Sequence, residues 1–89
     1  MLGYAARDGA DEPGYTRVGF SVSRRVGGAV VRNRVKRRLR EVMRRMLADI
    51  APGYDLVVTA RPDAANAPIA TLDQELRALL RRARLLIPS

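Results

Sequence analysis

From Val30 to Ile50 the apolar residues Val31, Val35, Leu39, Val42, Met43, Met46 and Ile50 recur at a spacing that a helix gathers into one surface. At about 100° per residue they fall within an arc of roughly 120°, and Arg34, Lys36, Arg37, Arg38, Arg40, Arg44 and Arg45 take the rest of the circle. An amphipathic helix of about five turns follows, with one stripe to bury and a cationic remainder. Just before it the period is two. In RVGFSVSRR (Arg17 to Arg25), Val18, Phe20 and Val22 alternate with Gly19, Ser21 and Ser23, the pattern of a half-buried strand. Gly27-Gly28 separates the two periods, and Pro52-Gly53 ends the helix. A strand that feeds such a helix must share a core with it, which confines the chain to mixed folds.

The remaining segments complete that picture. Met1 to Arg7 is readable as a short strand, and Asp8 to Gly14 (DGADEPG) has loop composition. Tyr54 to Arg61 (YDLVVTAR) carries a compact apolar run and reads as a further buried strand. Pro62 to Ala70 is a loop. Thr71 and Gln74 have capping-box spacing, with Thr71 as the N-cap. Leu72, Leu76, Leu79, Leu80, Ala83 and Leu86 then follow helical spacing up to Pro88. The order strand, strand, helix, strand, helix predicts an α/β chain of the α+β two-layer sandwich type, with helices packed on a small sheet. Eighty-nine residues form one domain, residues 1–89.

Charge is distributed very unevenly. Arg24 to Arg45 holds 10 of the 17 basic residues and a single acid, Glu41. An ordinary solvated helix face mixes signs and gains from opposite charges at i,i+4. Here Arg34–Arg38, Lys36–Arg40 and Arg40–Arg44 are like-charge pairs at that spacing, each costing a few tenths of a kcal/mol in an isolated helix. A polyanion relieves that repulsion, and arginine's planar fork suits phosphate. Nucleic acid is therefore the expected partner. Of the uncharged base-reading side chains this helix has only Asn33, so its polar face reads as phosphate contact, which suits folded RNA better than duplex DNA.

Several classes are disfavoured. There is no cysteine and no histidine, so disulfides, thiolate catalysis and the commonest general base and metal ligand are absent. The acids are dispersed and suggest no protein-borne metal site. No apolar run is long enough to span a membrane, and the start turns polar within a few residues, so a cytoplasmic protein without a membrane partner is expected. Arg81, Arg82 and Arg84 form a smaller patch that reads as solubilising, and Phe20 as a core residue before a cleft residue.

Residues Arg17 to Glu41 (RVGFSVSRRVGGAVVRNRVKRRLRE) closely resemble the protein subunit of bacterial ribonuclease P. The features that carry the likeness are Arg32-Asn33-Arg34 followed by Lys36, Arg37 and Arg40, preceded by the strand-and-turn pattern Val18 to Gly27 with its cation pair Arg24-Arg25. With YDLVVTAR and the final helix included, the likeness covers about residues 15–87. A lone Arg-Asn-Arg triplet means little, whereas the ordered combination is specific.

The resemblance implies a protein that binds a large catalytic RNA, the holoenzyme removing the 5′ leader of precursor tRNA. The RNA subunit, with magnesium, would carry the chemistry, and the protein alone would be inactive. It implies further that Arg32, Asn33, Arg34, Lys36, Arg37 and Arg40 face the RNA subunit, joined by the cation pair Arg24 and Arg25. Arg38 and Arg44, on the same cationic remainder, are expected to add phosphate contacts. Phe20, Ser21 and Ser23 would lie along or beneath the leader cleft, and the β-α-β crossover would be left-handed, against the usual rule. The family usually begins with an additional aromatic-bearing helix. This sequence starts at about the first strand, so leader binding is expected to be weakened more than binding of the RNA subunit.

Overall fold

A computed structural model describes residues 1–8 and 16–86. The polar stretch after Asp8 and the segment containing Pro88 lie outside the described residues. Three strands, β1 (Leu2–Asp8), β2 (Arg17–Val22) and β3 (Tyr54–Ala60), form a sheet in the order β1-β3-β2. β1 pairs antiparallel with β3, Leu2 opposite Ala60, and β2 pairs parallel with β3, Val18 opposite Leu56. Parallel neighbours need a crossover, which is supplied by helix α1 (Ala29–Met46); helix α2 (Ile69–Arg82) follows β3. α1 packs on β2, α2 on β1, and the two helices on each other, so both lie on one side of the sheet. The chain is the two-layer α+β sandwich that its periodicity predicts.

The core is the meeting of three stripes. Val35, Leu39, Val42 and Met46 of α1 meet Leu72, Leu76 and Leu80 of α2 over Leu56 and Val58 of β3, all at most 1% exposed. Burial of this kind is the main favourable term in a domain this small. β3 itself corrects an expectation. It is buried on one face only: Leu56, Val58 and Ala60 point to the helices, whereas Val57 is 43% exposed on the other side. The compact apolar run concealed a period of two.

Three boundaries differ from the sequence reading. α1 stops at Met46, and Leu47–Asp49 tighten into a 3-10 turn before Ile50, which is extended at φ −88°, ψ 134°. The pyrrolidine of Pro52 disfavours helical backbone just ahead of it, and Ile50 keeps its place in the core by bridging Leu86. α2 begins at Ile69, so Thr71 is not the N-cap. Pro68 takes that position at φ −61°, its carbonyl accepting from the Thr71 and Leu72 amides at 3.0 and 3.1 Å. Starting earlier lets Ile69 pack against the core, a gain the capping-box spacing does not register.

α2 also ends before Leu86. Arg84 turns left-handed (φ 60°), its amide donating to the Arg81 carbonyl and that of Leu85 to the Leu80 carbonyl. This is a Schellman ending with arginine where glycine is usual. It swings Leu85 into the core, and the Leu85 carbonyl accepts from the Ala51 amide at 2.7 Å.

Candidate nucleic-acid interface

The candidate interface is built from the β2–α1 turn and the first three turns of α1. β2 ends at Val22, and a tight turn follows in which the Val26 amide donates to the Ser23 carbonyl at 3.1 Å. Val26 is buried and pins the turn, leaving Ser23, Arg24 and Arg25 exposed. Gly27 follows at φ 156°, where a Cβ would come within 2.9 Å of the Val31 side chain. Only glycine fits that close approach without displacing the helix. α1 then starts with no acid in its first turn and no side chain capping its amides, so the positive end of the helix dipole adds to the cations beside it.

Around α1 the cations divide by direction. Asn33, Lys36, Arg37 and Arg40 line an open recess of about 470 Å³ together with Val30, which is 78% exposed. Among the described residues, none of Arg32, Arg34, Lys36, Arg37, Arg38 and Arg40 forms an ion pair. The end of the helix is different: Arg44 lies 3.6 Å from Glu41, and Arg45 lies 3.9 Å from Glu41 and 3.6 Å from Asp73 of α2.

Two expected contact residues are turned elsewhere. Arg34 Nη2 donates to the Ala65 carbonyl at 3.1 Å, and Arg38 Nη1 to the Ala67 carbonyl at 2.8 Å, both in the segment between β3 and α2. The Nε atoms of Arg32 and Arg34 are buried with no hydrogen-bond partner among the described residues. The sequence pattern placed Arg34 and Arg38 on one remainder with Lys36, Arg37 and Arg40, and distinguishing them required knowing which flank α2 covers. Val30 was also missed, although its angle on the helical wheel falls among the outward cations.

The proposed cleft residues do not share one surface. Phe20 alternates with Ser21, pairs with Val58, and packs half-buried against the core on the helix side. Ser21 pairs with Thr59 on the open side, where Val57 and Gly19 also lie, and Ser23 sits beyond the strand in the turn. That open side carries a charged crossing the sequence did not reveal. Asp55, in register with Arg7 on one side and Arg17 on the other, accepts from Arg17 Nε at 2.9 Å and lies 3.6 Å from Arg7 Nε. The Arg17 hydrogen bond holds the Asp55 carboxyl below the usual aspartate value, with burial opposing.

Chemically the outward face of α1, with Asn33, Lys36, Arg37 and Arg40 together, is suited to binding a polyanion. Among the described residues no group of three or more His, Cys, Asp or Glu side chains is placed to hold a metal ion. No helix among them is long and apolar enough to cross a membrane.

Comparison with known proteins agrees with this picture. A family model described as Ribonuclease P matches residues 2–84. The ribonuclease P protein component of Mycobacterium sp. (strain KMS) is 54% identical over 74 residues, 83% of this chain and 63% of that protein. The component from Chloroflexus aurantiacus (strain ATCC 29366 / DSM 635 / J-10-fl) is 54% identical over 71 residues, 79% of this chain and 53% of that protein. The chain thus spans between 53% and 63% of the length of these two relatives. Among solved structures, the Staphylococcus aureus RNase P protein superposes with a TM-score of 0.85 at 27% identity, covering 96% of this chain and 76% of that one. The Thermotoga maritima RNase P protein in complex with 1-(4-fluorophenyl)-2-thiourea gives 0.80 at 32% identity, covering 91% and 78%. The match over residues 2–84 takes in the turn, the cationic face of α1 and the sheet alike, and the chain belongs to the ribonuclease P protein family.

Proposed function

We propose that this chain is the protein subunit of ribonuclease P, binding the catalytic RNA subunit and assisting removal of the 5′ leader from precursor tRNA. The observation that carries the reading is the outward face of α1, where Asn33, Lys36, Arg37 and Arg40 stand together without an acid among them. Its work is electrostatic. Cations on a rigid helix neutralise a folded RNA and position it without reading its sequence. The exposed pair Arg24-Arg25 extends that field into the β2–α1 turn.

Catalysis is assigned to the RNA subunit, as the resemblance implies; the chain, which has no histidine and no cysteine, would contribute through its charge. Magnesium would be held by the RNA, and the protein would help by lowering the repulsion between RNA phosphates near those ions. The open side of the sheet, with Ser21, Thr59 and Val57, is the surface offered to the precursor tRNA leader; Phe20 would act from beneath it. A cytoplasmic site of action fits this role.

The test is precursor-tRNA cleavage by a bacterial ribonuclease P RNA at limiting magnesium, with and without the chain. Stimulation is expected. Binding to ribosomal RNA and duplex DNA as tight as to that RNA, with no stimulation, would point to a general RNA-binding role instead.

A further inference from the structure

Arg34, Arg38 and Arg45 project from one flank of α1, within about 40° of one another on the helical wheel. All three reach the same neighbour: Arg34 the Ala65 carbonyl, Arg38 the Ala67 carbonyl, and Arg45 the Asp73 carboxylate at the start of α2. The acceptors follow one another along the chain as the donors do along the helix. A row of guanidinium groups thus fastens the β3–α2 segment and the first turns of α2 against α1. Ala64 and Ala67, buried beside the two accepting carbonyls, mark how closely the segment is held.

We infer that Arg34 and Arg38 are positioning residues that clamp the β3–α2 segment to α1, and that the phosphate-contacting set on this helix is Lys36, Arg37 and Arg40 with Asn33. This rests on the RNA-binding reading above and divides its residues. A guanidinium whose Nη is held by a carbonyl at 2.8 Å, on the flank α2 covers, is not aimed at an external phosphate. Arg37 and Arg40 are exposed, and among the described residues they have no protein partner. The clamp also explains how Arg34 and Arg38, a like-charge i,i+4 pair, coexist without a carboxylate: each faces the negative end of a peptide dipole.

Binding of a ribonuclease P RNA transcript across a salt series separates the two roles. Each phosphate contact removed should lower the slope of log K against log salt by about 0.7 to 0.9. Arg37→Ala and Arg40→Ala should each do so at unchanged Tm. Arg34→Ala and Arg38→Ala should keep the slope, lower Tm by about 5 °C, and weaken binding a few-fold while the protein remains folded. In the wild-type chain, guanidinium NMR signals of Arg34 and Arg38 should be restrained before RNA is added and unmoved afterwards. Those of Arg37 and Arg40 should become restrained only with RNA. A slope loss for Arg38→Ala equal to that for Arg37→Ala, or free Arg34 and Arg38 signals in the unbound chain, would overturn the clamp. Absence of RNA binding altogether would sink the functional reading and leave the Tm and NMR results standing.

Discussion

The two ends of α1 handle charge in opposite ways. At its C-terminal end Arg44 and Arg45 share Glu41, Arg45 also reaches Asp73, and Asp73 binds Arg77 of α2 at 2.6 Å. One of these links, Arg45–Asp73, crosses from α1 to α2, and the others run within each helix. Over the first three turns there is no acid, and the outward cations Lys36, Arg37 and Arg40 are left with their mutual repulsion. The fold therefore supplies counterions at the C-terminal end of α1 and withholds them on the outward face of its first three turns. Both ends bury the same kind of apolar stripe, so the difference is not one of packing. What it teaches is that the absence of acids belongs to the outward face of one end and not to the helix as a whole, as the proposed RNA-binding role of that face requires.

The sharpest way to break the comparison is to give the N-terminal end what the other already has. Arg40→Glu would place an acid four residues from both Lys36 and Arg44. The isolated-helix term should improve by a few tenths of a kcal/mol for each new pair, so stability should hold or rise slightly. RNA affinity should fall about tenfold or more at moderate salt, because two units of charge are lost from the proposed phosphate-facing surface. Unfolding in urea and RNA titration on the same preparation check both signs. Undiminished affinity would show that this face is not the one RNA meets.

The converse change is made at the paired end. Asp73→Asn removes the shared partner of Arg77 and Arg45, whose side chains are 33% and 47% exposed. Exposed pairs contribute little, and a small network a little more, so a loss of about 0.5 to 1 kcal/mol is expected. The RNA salt slope should not move. A changed slope would mean that the α1–α2 junction itself touches RNA.

Much of this was legible in the chain. The stripe Val35, Leu39, Val42 and Met46 and the alternation Val18, Phe20, Val22 depend only on local periods, and both elements form where those periods lie. The ordered run from Arg24-Arg25 to Arg40 carried the family. Other features depend on what lies across the fold. That Val57 faces solvent while Val58 does not is decided by which side of the sheet the helices cover. That Arg38 turns to Ala67 and Arg37 does not is decided by α2, some thirty residues away in sequence. The N-cap at Pro68 was hidden because proline caps through its fixed φ and its carbonyl, with no side-chain signature to find. The Arg7–Asp55–Arg17 crossing needs the register of three strands and could not be read from any one of them.

That crossing yields the smallest effect and a test at a site remote from α1. The Asp55 carboxyl is held below its ordinary value of 3.8, chiefly by the Arg17 hydrogen bond. A carboxylate of that kind binds fewer protons in the folded chain than in the unfolded one, so lowering the pH favours unfolding. Its contribution is full above the ordinary aspartate value. It shrinks as pH falls past 3.8 and is gone below the folded-state value. Asp55→Asn should therefore be slightly less stable than wild type at neutral pH, with the two stabilities converging in acid. Added salt should shrink the neutral-pH gap, since both arginine partners are largely exposed. Urea midpoints for both chains across that range give the answer. A gap that persists unchanged into acid would mean that Asp55 acts through its hydrogen-bond geometry, which asparagine disrupts, and not through its charge.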